Sequence, residues 1–209
     1  GRIVTEIPGK VSKVGIVSDV IIKSVYVITE DGKLYTQDNT IYEGFFSFGY
    51  MEGHGRLYSV KERFVYDGEF YKSMFQGFGQ LATLDGLSYK GYWSNDKQSG
   101  PGEEHYADGS FYVGNFVNGE KNGNGKLTWL NGNSYEGDFS EGDINGFGLF
   151  RWKGGTIYYG HWVKHKMEGI GLFIWPDKKK YIGSYKNEMK DGFGIFYSND
   201  GKQFEGFWK

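Results

Sequence analysis

His161 and His165 stand four residues apart, the spacing that lets two imidazoles on one helical face share a metal ion. Here the pair falls where strand-like alternation runs into a turn, so the two rings do not converge, and both read as ordinary surface histidines. The chain has no cysteine, which excludes disulfides and thiolate zinc sites. Glycine pairs of the form Gly-x-Gly occur at 53/55, 77/79, 100/102, 123/125, 146/148, 169/171 and 192/194 and invite a phosphate-binding reading. None follows a strand and opens a helix with the spacing of a nucleotide fingerprint. The Gly125-Lys126 and Gly201-Lys202 steps lack the earlier glycine and the following Ser or Thr of a P-loop. No nucleophile–base pair is visible. These residues describe a chain that is not an enzyme and needs no metal or cofactor.

The positions that look chemical are instead the fixed points of a repeat. A Tyr-x-Gly-x-aromatic opening begins at Tyr42, Tyr66, Tyr89, Tyr112, Tyr135, Tyr158 and Tyr181, and a partial copy begins at Phe204. The first interval is 24 residues and the others are 23. A period of this size marks an architecture in which each unit packs on its neighbours. It also explains a composition of 35 glycines beside 19% aromatic residues. The net charge of −2 argues against a general nucleic-acid binder, which needs a basic face. No apolar run approaches the ~20 residues of a spanning helix and no signal-peptide pattern opens the chain. With the absence of cysteine this suits a cytoplasmic protein. The start at Gly1 and the stop within a repeat are expected of a fragment of a longer chain.

Two strands can be read in each copy. In the first, Tyr, Gly and the aromatic residue alternate with polar or variable residues such as Glu43, Asp67, Lys90 and Glu136. A turn of about six residues should follow, and a second strand should start at Gly-x-Gly. Asp85-Gly86, Asp108-Gly109, Asn131-Gly132 and Asp200-Gly201 are strong signals for a tight hairpin turn after it. The strand glycines leave gaps in which a large ring can lie across the backbone, so aromatic columns replace the core a single layer lacks. The expected fold class is all-β: an elongated, single-layer antiparallel β-meander of tandem hairpins, about 65–70 Å long at ~4.8 Å per strand. Residues 42–209 hold seven repeats and part of an eighth. Residues 1–41 form a lead-in, irregular to residue 19, then a strand over Val20–Thr29 and a degenerate half-repeat, Glu30–Ile41, that caps the array.

The pattern Tyr-x-Gly-x-Trp/Phe-x-x-Gly-x-x-x-Gly-x-Gly resembles the MORN (membrane occupation and recognition nexus) repeat. Tyr135-Glu136-Gly137-Asp138-Phe139 with Gly142, Gly146 and Gly148 follows it closely, as does Tyr112-Val113-Gly114-Asn115-Phe116 with Gly119, Gly123 and Gly125. Pro101, Glu104 and Lys178 depart from the pattern in single copies. The resemblance implies a twisted antiparallel sheet that acts as a scaffold or docking surface. It extends to proteins of junctional membranes and of cytoskeletal and ciliary assemblies. It extends also to modules joined to lipid-kinase or lysine-methyltransferase domains.

A change of pattern along the array points to a site. On the face opposite the tyrosines the second strands begin largely polar, with His54, Arg56 and Tyr58, then Phe78, Gln80 and Ala82, then Pro101, Glu103 and His105, then Asn124, Lys126 and Thr128. From the fifth copy they turn apolar, with Phe147, Leu149 and Arg151, then Ile170, Leu172 and Ile174, then Phe193, Ile195 and Tyr197. The tyrosine face keeps its own column, Tyr106, Trp129, Trp152 and Trp175. Apolar residues on both faces of one layer leave one side in water, which marks an interface. The expected function is a noncatalytic scaffold or adaptor domain that docks a peptide or helix segment there, or associates with itself. One alternative is a peripheral module for acidic phospholipid, using Trp175, Lys178, Lys179 and Lys180. Three lysines at ~1 kcal/mol each make that affinity marginal. The other is a regulatory domain of a larger enzyme.

Overall fold

A tyrosine ring laid over two glycines is the unit from which every hairpin is built. The computed structural model describes residues 11–15, 26–29, 33–35 and 40–209. The seven motif tyrosines are almost wholly buried. Tyr42, Tyr66, Tyr112, Tyr135, Tyr158 and Tyr181 each cover the glycine two residues on and the glycine opposite it on the next strand, so that a Cβ on Gly148 would stand 2.2 Å from the Tyr135 hydroxyl oxygen. Only glycine leaves room for the ring. The hydroxyl then donates to the carbonyl three residues on, at 3.0 Å from Tyr135 to Asp138 and 3.1 Å from Tyr158 to His161, so the buried polar end is satisfied.

The chain divides into two units, Gly1–Lys97 and Gln98–Lys209. The first contains β1 (Val11–Gly15), β2 (Tyr26–Thr29), β3 (Lys33–Tyr35), β4 (Thr40–Ser47), β5 (Tyr50–Ser59), β6 (Phe64–Tyr71), β7 (Met74–Thr83) and β8 (Ser88–Ser94). The second is built from β9 (Lys97–His105), β10 (Phe111–Val117), β11 (Glu120–Thr128), β12 (Ser134–Ser140), β13 (Asp143–Arg151), β14 (Ile157–Val163), β15 (Lys166–Ile174), β16 (Lys180–Lys186), β17 (Met189–Tyr197) and β18 (Gln203–Trp208). Within each unit every strand pairs antiparallel with the next in sequence. The described residues contain no helix. The all-β meander expected from the repeat is the fold.

The turns differ from expectation. The first turn of each repeat is the tight one. Asn118-Gly119, at φ +53° and +90°, joins Val117 to its partner Glu120. This is the two-residue, doubly left-handed turn that matches strand twist. The second strand therefore starts before Gly-x-Gly. A bulge takes up the extra residues: Gly114 pairs with Gly125, then Phe116 with Lys121, and Gly123 sits at φ +73°. The Asp-Gly turn is the looser one. At Trp129–Asn133 the Gly132 amide donates to the Trp129 carbonyl at 2.9 Å and the Trp129 amide to the Asn133 carbonyl at 3.0 Å. That is a three-residue loop closed by a left-handed glycine.

Rings on the tyrosine face tie repeat to repeat. Tyr135 meets its own Phe139 at 5.3 Å and Trp162 of the next copy at 5.6 Å, both edge-on, and Tyr158 meets Trp162 and Tyr185 likewise. A second column runs through Trp129, Phe150, Trp152, Phe173, Trp175 and Phe196 at 4.4–5.9 Å. The tight turns add a backbone ladder. Gly142, His165 and Glu188 each donate to a carbonyl of the preceding copy at 3.0 Å. Glu104, where other copies have Leu or Phe, is buried on this face. It accepts from Gln98 at 3.1 Å and from Tyr106, with the Lys121 ammonium 3.5 Å away.

Near the start, β1 lies inside the stretch expected to be irregular and pairs with β2. Of the expected Val20–Thr29 strand, residues 20–25 fall outside the described residues, as do residues 1–10, 16–19, 30–32 and 36–39. In the expected half-repeat, Leu34 pairs with Tyr42 as Leu57 does with Tyr66.

Candidate protein-docking face

Residues paired directly across antiparallel strands project from the same face. The residue after each motif tyrosine therefore defines a row on the opposite side of the sheet. In the second unit the row reads Val113, Lys126, Glu136, Leu149, Tyr159, Leu172, Ile182, Ile195, Glu205, each paired to the next. Five consecutive members, Leu149 to Ile195, are apolar. The expected site residues Leu149, Leu172 and Ile195 thus share one ladder, bridged by Tyr159 and Ile182.

The other expected residues flank it. Toward the tight turns lie Phe147, paired with His161, Ile170, paired with Ser184, and Phe193, paired with Phe207. Phe147 is 38%, Ile170 59% and Phe193 49% exposed. On the far side, Arg151 pairs with Ile157, Ile157 with Ile174, Ile174 with Lys180 and Lys180 with Tyr197. Phe147 packs edge-on to Tyr159 at 4.6 Å, and Asp138 fixes the bulge beside it by accepting from the Phe147 amide at 2.9 Å. At the β10–β14 end, Val113, Lys126, Glu136, Phe147 and Tyr159 line an open concavity of about 570 Å³. The strands supply their own polar pairing, so a partner lying along the row must dock through side chains.

Sequence reading missed the first-strand share of this surface. Tyr159 and Ile182 occupy the position filled in other copies by Glu43, Asp67, Lys90 and Glu136. The same polar-to-apolar switch was there to be read one strand earlier.

The basic run is divided between roles. Lys178 sits at φ +69° in the loop, Lys179 pairs with Asp177 at 2.6 Å, and Lys180 lies 4.8 Å over the Tyr197 ring. Trp175 belongs to the tyrosine-face column. There Lys190 stands over Trp175, Tyr181 and Phe196 at 4.6–5.6 Å, and burial pushes its ammonium below the usual lysine range. His165 faces Asp143 at 2.7 Å and His161 packs on Phe147, so the two imidazoles have separate partners. Burial pushes the Tyr42 and Tyr112 hydroxyls up to about 12, Glu52 adding to it at Tyr42. The Tyr66, Tyr135 and Tyr158 hydroxyls are also raised, again mainly by burial. The described residues contain no helix long and apolar enough to cross a membrane.

Tandem hairpins locked by tyrosine over glycine, with one face left free, define a β-repeat protein. The sequence profile of the MORN repeat matches residues 42–61, 66–86, 89–111, 112–134, 135–157, 158–180 and 181–203, and the chain belongs to the MORN repeat family. A comparison with curated proteins found no match. Among solved structures the chain is similar to the G-box domain of the microcephaly protein CPAP, at 15% identity and a TM-score of 0.54 over 89% of this chain and 99% of that one. It is also similar to the TCP domain of Drosophila melanogaster SAS-4, solved with a proline-rich motif of Ana2. That match has 11% identity and a TM-score of 0.47 over 82% of this chain and 96% of that one. At 15% identity the likeness to the CPAP domain is one of fold.

Proposed function

We propose that this is a noncatalytic protein-interaction domain that docks a partner segment on the second unit, on the face opposite the tyrosines. The observation that carries this reading is the unbroken apolar row Leu149, Tyr159, Leu172, Ile182, Ile195, flanked by the exposed rings of Phe147, Phe193 and Phe207. An apolar face of this extent on a single layer is the kind of surface that partners cover. Phe147, Leu149, Ile170, Leu172, Ile174, Phe193, Ile195 and Tyr197 are its second-strand residues. The domain presents this surface from a rigid ladder, as a scaffold does.

The test is a pull-down from native cell lysate in which wild type and Leu172→Asp/Ile195→Asp run in parallel, each checked for fold by circular dichroism. Partners retained by the folded wild type and lost from an equally folded variant are the expected outcome. Equal recovery from both proteins removes the row from partner binding. Liposomes containing phosphatidylserine form a separate arm, and salt-sensitive binding that vanishes with Lys178, Lys179 and Lys180 changed to Ala would assign the domain to lipid instead.

A further inference from the structure

The ends of the apolar row carry information about what covers it, given that the row is the docking surface. It is closed by an acidic residue on each side. Glu136 pairs with Leu149 at one end, and Glu205 pairs with Ile195 at the other. Both are solvent-exposed, and Glu136 stands at a long 3.8 Å from the Lys126 ammonium. The five apolar residues span four strand intervals, about 19 Å at ~4.8 Å each, and the two glutamates six intervals, about 29 Å.

A second copy of this chain fits this pattern badly. A two-fold dimer packed face to face brings the row against itself either end to end or in parallel. The first arrangement sets Glu136 against Glu205, and the second sets each glutamate against its own copy. Like charges then meet at both ends in either case. A strand added beside β18 would meet the row only at its end, Glu205, because the row runs across the strands.

We infer that the occupant is an amphipathic helical segment of another protein, lying across the strands, with an apolar stripe closed at both ends by Lys or Arg. At 1.5 Å per residue, 19 Å corresponds to about 13 residues of helix and 29 Å to about 19. The partner thus has three or four apolar turns, with basic residues about 19 positions apart. Arg151 and Lys180, three strand intervals apart on the far side of the row, favour acidic residues along that flank of the helix.

The experiment uses two synthetic helical peptides with the same apolar stripe, one with Lys at both ends and one with Glu. Binding to the whole chain is followed by fluorescence anisotropy. The Lys-ended peptide should bind roughly ten-fold more tightly at low salt, as two rim ion pairs of modest strength allow. Glu136→Lys/Glu205→Lys changes only exposed side chains and should reverse the preference. Ile170→Asp and Leu172→Asp should weaken both peptides alike. Equal binding of both peptides, lost on Leu172→Asp, would overturn the acidic clamp while leaving the docking row in place. Binding of neither peptide would overturn the helical occupant, whatever the lysate pull-down shows. A wild-type dimer dispersed by Leu172→Asp would assign the face to self-association and overturn the inference.

Discussion

Equivalent rows in the two units differ in chemistry: the first is polar throughout, and the second is apolar over five consecutive members. In the first unit it reads Lys33, Glu43, Arg56, Asp67, Gln80, Lys90, paired in order. Lys33 meets Glu43 at 3.1 Å, and the Arg56 guanidinium donates from Nε to Asp67 at 2.7 Å. In the second unit the equivalent positions begin with Val113, Lys126 and Glu136, turn apolar through Leu149, Tyr159, Leu172, Ile182 and Ile195, and end at Glu205. The tyrosine face hardly changes between them: Tyr66 over Gly68 and Gly79 repeats as Tyr158 over Gly160 and Gly171. Stability is therefore specified by one face and surface character by the other. The repeat can vary its outer row without losing its fold, which is how one scaffold comes to present different surfaces.

The largest effect should come from breaking what the units share. In Gly148→Ala the new methyl would stand 2.2 Å from the Tyr135 hydroxyl oxygen and 2.4 Å from Cζ. The buried ring must leave its place, at a cost of about 3 kcal/mol or more. Gly55→Ala, 2.5 Å from the Tyr42 hydroxyl oxygen, should do the same in the first unit despite its charged outer row. Urea unfolding of the two variants measures this. A loss below about 1 kcal/mol in either would mean that the tyrosine–glycine lock does not carry both units.

Alkaline titration tests the shared face without mutation. Tyr42 in one unit and Tyr112 in the other are pushed up to about 12 by burial. The unfolded hydroxyls ionise near 10. Between the two values the folded state holds more protons. Stability is therefore complete below pH 10 and is lost as pH rises toward 12. Tyrosinate absorbance should show the motif tyrosines ionising only as circular dichroism reports unfolding. Ionisation of every tyrosine near 10 in a folded protein would contradict their burial.

How much of this was legible in sequence depends on the period of each signal. Tyr42 to Tyr181 recur at fixed intervals and glycines fall at set offsets, so the hairpins, the meander and the ring-over-glycine packing follow from one aligned copy. The turns did not, because Lys72-Ser73 and Lys164-His165 take left-handed conformations (φ +49°, +64°, +45° and +66°) without the Asn-Gly sequence that announces them. The apolar site was half visible. Leu172 and Ile195 broke the polar pattern of the second strands, whereas Tyr159 and Ile182 joined them only once strand register placed the first strands between.

Two local substitutions should stabilise the second unit by smaller amounts. Tyr185 stands where other copies have Phe or Trp, and its buried hydroxyl has no hydrogen-bond partner. Tyr185→Phe removes an unsatisfied polar group and should gain about 1 kcal/mol in thermal or urea unfolding. An unchanged or lower stability would mean that the hydroxyl is satisfied. Lys178 holds φ +69° where the equivalent loops use glycine. Lys178→Gly should gain up to about 1 kcal/mol by relieving that conformation.

The smallest effect should separate the two outer rows. Arg56 is half exposed beside Asp67, with Tyr58 as a second partner at 3.3 Å. Exposed pairs of this kind contribute at most about 1 kcal/mol and are screened by salt. Arg56→Ala should therefore lower stability slightly at low salt, with the difference closing at about 1 M salt, where screening acts within about 3 Å. Tyr159→Ala, at the equivalent row of the second unit, removes apolar contact with Phe147 and should show a loss that salt does not reduce. Parallel salt series of the two variants decide the matter. Identical salt dependence would mean that the charged and apolar rows do not differ as their residues imply.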